Sequence, residues 1–91
     1  MNWFVYIIED DRGHWYTGIT TDIERRWHQH AELKTGAKYF RGRVPVALKY
    51  MESFENRSLA SKREYVIKQM TRSQKETLIQ NAQSLPEFIH L

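Results

Sequence analysis

The chain has no cysteine among its 91 residues. Disulfide staples, thiolate metal sites and a cysteine nucleophile are therefore excluded. A chain of this kind fits a cytoplasmic setting. No apolar run is long enough to span a bilayer. The best candidate, Trp3 to Ile8, falls far short of the ~20 residues a membrane helix needs. That run also lacks a basic leader and a small-residue cleavage site, so a strand is expected there and not a signal peptide. Repeats and low-complexity segments are missing as well, which excludes fibrous and disordered classes. Acidic residues are absent from one long stretch, Leu33 to Met51, although the whole chain is only mildly basic at net charge +3.

What is present suits one small domain. Aromatic residues make up 13% of the chain, enough to give a short sequence a modest core. Residues 3–9 are β-branched and aromatic and read as a strand covered on both faces. Asp10-Asp11-Arg12-Gly13 is a turn in which Gly13 supplies positive φ, and residues 14–20 return as the second strand of a hairpin. Asp22 caps a helix expected to reach about Lys34, with Gly36 ending it. A third strand follows from about Val46 to Phe54. Asn56 or Ser58 caps a second helix running to about Met70. Thr71-Arg72-Ser73-Gln74 has the form of a capping box and opens a third helix ending near Ala82. The order β-β-α-β-α-α describes an α+β domain with a small, mostly antiparallel sheet and helices packed against it. Residues 1–82 form this domain, and residues 83–91 are expected to be a tail docked on it through Phe88 and Ile89.

Two helices carry polar residues where apolar ones belong. With Ile23 as origin, Trp27 and Ala31 follow on one side of the first helix and Leu33 on the other. Arg26 and His30, neighbours at i and i+4, sit between them. A snorkelling arginine or a satisfied core histidine would explain either one alone. Together they suggest a concave, partly wet site, because a guanidinium beside an imidazole suits a bound phosphate. On the second helix Leu59, Val66, Ile67 and Met70 form the apolar stripe, with Arg63 inside its sector and Glu64 at its edge. Glu64 is either an ordinary surface carboxylate paired with a nearby cation or a hard oxygen ligand for Mg²⁺. Tyr6 and Tyr16 come side by side in reasonable hairpin registers, where core packing is the default reading of a strand tyrosine. His28 and His30 do not share a helical face, so a zinc site is not expected. Within the stretch free of acids stand Lys34, Lys38, Arg41, Arg43 and Lys49, with Tyr39 and Phe40 among them. Such a segment is either a solvated loop or a track for phosphates and stacked bases.

These residues match a known pattern. Val5-Tyr6-Ile7 followed by Tyr16-Thr17-Gly18 resembles the paired tripeptides of the GIY-YIG nuclease superfamily. Asp22 to His30 is similar to its first helix, with arginine and histidine in register. Gly36 to Arg41 with Pro45 resembles the loop of members that cut junctions and flaps, and Ala60 to Lys68 the metal-binding helix. The resemblance is strongest to the small stand-alone, uncharacterised bacterial members and extends to about residue 80. Phe4 stands where the first tripeptide has glycine, and Thr17 in the middle of the second. Both departures leave the tyrosines in place.

The resemblance implies a metal-dependent endonuclease that hydrolyses phosphodiester bonds with one Mg²⁺ or Mn²⁺ ion. DNA is the expected substrate in preference to RNA, with selectivity for structure or single strands, in repair or recombination. Tyr6 and Tyr16 match the motif tyrosines, Arg26 the arginine that holds the scissile phosphate, His30 the histidine near the nucleophile or leaving group, and Glu64 the metal ligand. Tyr6 is favoured as the base and Tyr16 as the residue that positions the water. Lys38, Arg41, Arg43 and Lys68 are the expected nucleic-acid contacts. Two other readings stand beside this one: a nucleic-acid-binding module with the nuclease fold but little or no catalysis, and an interaction domain whose protein partner supplies specificity.

Overall fold

The computed structural model describes residues 2–32 and 44–82, the side chains of residues 30–32 excepted. Within them the chain runs β1 (Trp3–Asp10), β2 (Trp15–Thr20), α1 (Ile23–Glu32), β3 (Pro45–Phe54), α2 (Arg57–Lys68) and α3 (Arg72–Gln80). The three strands form one antiparallel sheet in the order β2-β1-β3. The fold is the expected α+β arrangement. The loop after α1 and the tail from residue 83 lie outside the described residues, and with them the expected cap at Gly36 and the docking of Phe88 and Ile89.

The strand order explains the apolar run in β1. A central strand with helices on both faces has no solvent side, and Val5, Tyr6, Ile7 and Ile8 are all fully buried. Alternation sends Tyr6 and Ile8 to one face, where they pack with Ile23 and Trp27 of α1 and Leu48 of β3. Val5 and Ile7 point the other way, into a cluster with Tyr50, Ala60 and Ile67 that Leu78 and Ile79 of α3 help to cover. β3 carries two register shifts against β1, between Ile7 and Ile8 and between Glu9 and Asp10.

Local chemistry holds the ends of the elements. Gly13 takes φ 81° in the hairpin turn. The buried Asp10 carboxylate accepts from the backbone N–H groups of Arg12 (2.8 Å) and His14 (2.9 Å), bracing that turn. Asp22 caps α1 by accepting from Arg25 N at 3.0 Å. Asn56 caps α2 by accepting from Leu59 N at 2.9 Å. Thr71 and Gln74 form the reciprocal capping box of α3. At the start of α3, Arg72 reaches back across the hairpin. Its guanidinium lies 3.4 Å from the Trp15 ring centre and donates to the Gly13 carbonyl at 3.0 Å.

One expectation fails on α2. Leu59 and Val66, read as core, are 42% and 46% exposed, while Ala60 and Ile67 are fully buried. Arg63 accounts for the rotation. Its Nε donates to Glu52 of β3 at 3.0 Å, and Glu52 in turn accepts from the Tyr50 hydroxyl at 2.6 Å. An ion pair to the neighbouring strand turns Arg63 toward the sheet and carries Leu59 and Val66 outward.

Candidate active site

The hairpin sets the two phenols on the α1 face, but not directly opposite each other. Tyr6 faces Gly18 and Tyr16 faces Ile8, so the rings meet on the diagonal. Their centroids are 6.2 Å apart and their planes are tilted by 45°. Gly18 makes room for this. A side-chain carbon there would sit 2.6 Å from the Tyr6 hydroxyl oxygen, 2.8 Å from its Cζ and 3.1 Å from Cε1 of Tyr16. Glycine is required at this position by a close approach, not by its backbone angles.

Burial pushes the Tyr6 phenol well above the ordinary tyrosine range, and it outweighs the opposing hydrogen bond from Arg26. The charges of Tyr16 and Glu64 add to the rise. A fully buried phenol that holds its proton so tightly is a poor base, which argues against the base role favoured for Tyr6 from the sequence. Tyr16 is the less buried of the two tyrosines.

Arg26 occupies the apolar sector of α1 because it has partners there. Its Nε donates to the Tyr6 hydroxyl at a long 3.4 Å, and its Nη1 donates to Gln29 Oε1 at 3.1 Å. Burial works against its charge, but the Tyr6 and Tyr16 phenols more than offset this and the guanidinium is held as a cation. Glu64 projects from the flank of the buried stripe of α2, its side chain 23% exposed. Its charge acts on the same Tyr6 phenol. Lys68 Nζ stands 3.4 Å from Glu64 Oε2, so this expected nucleic-acid contact is an intrahelical ion-pair partner.

Tyr6, Tyr16 and Arg26 are thus in mutual reach, and Glu64 on α2 is the smallest of the electrostatic influences on Tyr6. The His30 backbone lies on α1, one turn beyond Arg26, but its side chain lies outside the described atoms. Lys38, Arg41 and Arg43 also lie outside the described residues. Sequence reasoning passed over Gln29, which orients Arg26 from the next turn and was legible as its i+3 neighbour. It also passed over a groove of about 200 Å³ beside Arg26, lined by Trp3, Ile19, Thr20, Thr21, Asp22, Arg25, Arg26 and Gln29.

The donor set bears on metal binding. No group of three or more His, Cys, Asp or Glu side chains able to hold an ion occurs among the described residues. Glu64 is a single half-buried carboxylate, which fits a hard cation that keeps most of its shell as water and substrate phosphate. It does not fit a zinc site built from several protein ligands.

The sequence profile of the GIY-YIG catalytic domain matches residues 2–77 of the chain. The chain belongs to the GIY-YIG family. Its GIY-YIG relatives include a UPF0213 protein of Halobacterium salinarum, 54% identical over 74 residues, or 81% of this chain and 95% of the relative. The UPF0213 protein YhbQ of Escherichia coli O127:H6 is 43% identical over 88 residues, 97% of this chain and 87% of that protein. The solution NMR structure of a UPF0213 protein from Bacillus halodurans matches the fold with a TM-score of 0.56 at 46% identity, covering 88% of this chain and 84% of that one. GIY-YIG domains are generally nucleases, and a nuclease domain implies binding to nucleic acid. No helix among the described residues is long and apolar enough to cross a membrane.

Proposed function

We propose that this chain is a divalent-metal-dependent endonuclease acting on DNA, selective for branched or single-stranded structures, in repair or recombination. The observation that carries the reading is the Arg26 guanidinium, held half-buried between the Tyr6 hydroxyl and Gln29 at the wall of a groove. A cation fixed in this way is preorganised for the charge that develops on phosphoryl oxygens. Tyr6, buried and protonated, anchors it. Tyr16 orients the attacking water, and His30 is assigned the proton that the water gives up. The water oxygen bonds to phosphorus as the bond to the 3′ oxygen breaks. A single Mg²⁺ or Mn²⁺ held by Glu64 would supply Lewis acidity toward the leaving oxygen.

The test uses labelled single-stranded, duplex, flap and four-way-junction DNA, with matching RNA, in Mg²⁺, in Mn²⁺ and with chelator. Cleavage that needs the metal is expected. Arg26→Ala should lower it at least about a hundredfold, as the loss of a transition-state donor worth ~2.7 kcal/mol or more. Glu64→Ala should abolish the response to metal. Unchanged turnover in a folded Arg26→Ala protein refutes the role assigned to that residue. One observation favours a second reading. Lys68 Nζ stands 3.4 Å from Glu64 Oε2 and competes with a metal for that carboxylate, as suits a binding module without turnover. That reading predicts salt-sensitive DNA binding with no cleavage in any metal, and no cleavage gained by Lys68→Ala.

A further inference from the structure

The groove beside Arg26 extends beyond the groups that act in the chemistry just described and shares Arg26 and Gln29 with them. The strands contribute Trp3 and Ile19 to it, the β2–α1 turn Thr20 to Asp22, and α1 Arg25, Arg26 and Gln29. Two arginines and one aspartate line it, so the lining carries a net positive charge that favours an anion. Trp3 is half-buried, packed in part on the Val5 and Ile7 cluster, and outside the groove a third guanidinium, Arg57, lies over its ring 5.6 Å from the centre, where a base would compete with it. An aromatic ring set among arginines is how proteins hold a single strand, the ring against a base and the cations along the backbone.

Size narrows the occupant further. Pockets for free small ligands run from about 300 Å³ upward. At about 200 Å³ this groove suits one unit of a polymer whose neighbours lie outside it. An acidic peptide would satisfy the guanidiniums but leave the indole unused, whereas a nucleotide uses both.

We infer that this groove is a subsite for the nucleotide flanking the scissile phosphate of a single strand, with Arg25 on its phosphate and Trp3 against its base. Its place next to the reacting bond rests on the endonuclease reading, since Arg26 is the shared wall. The subsite itself is a matter of binding and can be measured without cleavage.

Arg25→Glu is the first variant. Arg25 is exposed in the first turn of α1, where an acidic side chain suits the helix N-terminus, so the fold is retained. Arg12→Glu, in the exposed hairpin turn, makes the same charge change away from the groove. Trp3→Phe keeps an aromatic ring in the apolar cluster. Each protein is titrated with a labelled single-stranded deoxyoligonucleotide in EDTA over a range of salt, following both label anisotropy and tryptophan fluorescence. In Arg25→Glu, Kd should rise about tenfold or more, and the log–log salt slope should become shallower by about 0.7, the loss of one phosphate contact to a single strand. Arg12→Glu should change Kd less than threefold and leave the slope alone. Trp3→Phe should remove most of the fluorescence quenching that the oligonucleotide causes in the parent protein.

Parental Kd and slope in Arg25→Glu overturn the subsite, and so does full quenching in Trp3→Phe. A glutamate-rich peptide that displaces the oligonucleotide at equal charge concentration would also overturn it, in favour of a protein partner. The two readings fail separately. Metal-dependent cleavage with Arg25 irrelevant to binding removes the subsite and leaves the nuclease. Binding that depends on Arg25, with no cleavage in any metal, removes the nuclease and leaves a strand-binding groove.

Discussion

Gly18→Ala adds one carbon and tests the packing of the two phenols directly. Position 18 does not require positive φ, so the backbone accepts alanine and the effect is one of space alone. The new Cβ would start 2.6 Å from the Tyr6 hydroxyl oxygen and 2.8 Å from Cζ, so the ring must retreat by roughly 0.8 Å to reach an ordinary contact. Tyr6 cannot retreat cheaply, because it is fully buried on the central strand and packed against Ile23 and Trp27. Overfilling a site of this kind costs about 1–3 kcal/mol. For a domain of this size that lowers Tm by on the order of 10 °C. The same shift disturbs the phenol that holds Arg26, and a misplacement near 1 Å costs roughly a hundredfold in rate. Denaturant melts and single-turnover cleavage at a temperature where both proteins are folded measure the two effects. Gly13→Ala is the control. It has φ 81° and no heavy atom within 4 Å of the added carbon, so it should lose about 1 kcal/mol to backbone strain and keep its turnover. Parental stability and rate in Gly18→Ala would show that the Tyr6 ring moves freely, and the claim that Arg26 has a fixed anchor would fall with it.

Other perturbations follow from the same structure. Among the described residues the buried Thr17 hydroxyl has no hydrogen-bond partner, so Thr17→Val should raise the unfolding free energy by about 1 kcal/mol, read as a higher urea midpoint with an unchanged slope. Arg72→Ala should cost about 1–2 kcal/mol through loss of the Trp15 stacking and the Gly13 bond, with cleavage unaffected. Burial raises the phenols of both Tyr6 and Tyr50, and in Tyr50 the bond to Glu52 adds to it. Such groups keep their protons in the fold after the unfolded chain has lost them. The stability they contribute is whole below pH ~10 and drains as the pH climbs toward the raised values. An alkaline titration should therefore show the Tyr6 phenol ionising together with the loss of circular dichroism, and its earlier ionisation in a folded protein would contradict its burial.

Much of this architecture was legible in the residues because its signals are local. The Thr71–Gln74 box, the Asn56 cap and the turn at Gly13 each act within four residues, and the chain does at those places what the side chains dictate. Arg26 was legible for a related reason: a guanidinium within an apolar sector demands partners. The readings that needed revision depended on which strands lie side by side. The stripe of α2 was misjudged because the partner of Arg63, Glu52, sits on β3, eleven residues away and invisible to a helical wheel. The requirement for glycine at position 18 follows from the β1–β2 register. The burial of Tyr6, which bears on the base role favoured for it, follows from the same central placement of β1.

The position of β1 has a consequence for motion. Strands paired on both edges and covered on both faces open last in hydrogen exchange, so the amides around Tyr6 should be among the slowest in the molecule. Arg26 and Glu64 ride on helices that meet the sheet only through side chains. Local opening should therefore reach α1 and α2 before it reaches the strand that carries the buried phenol.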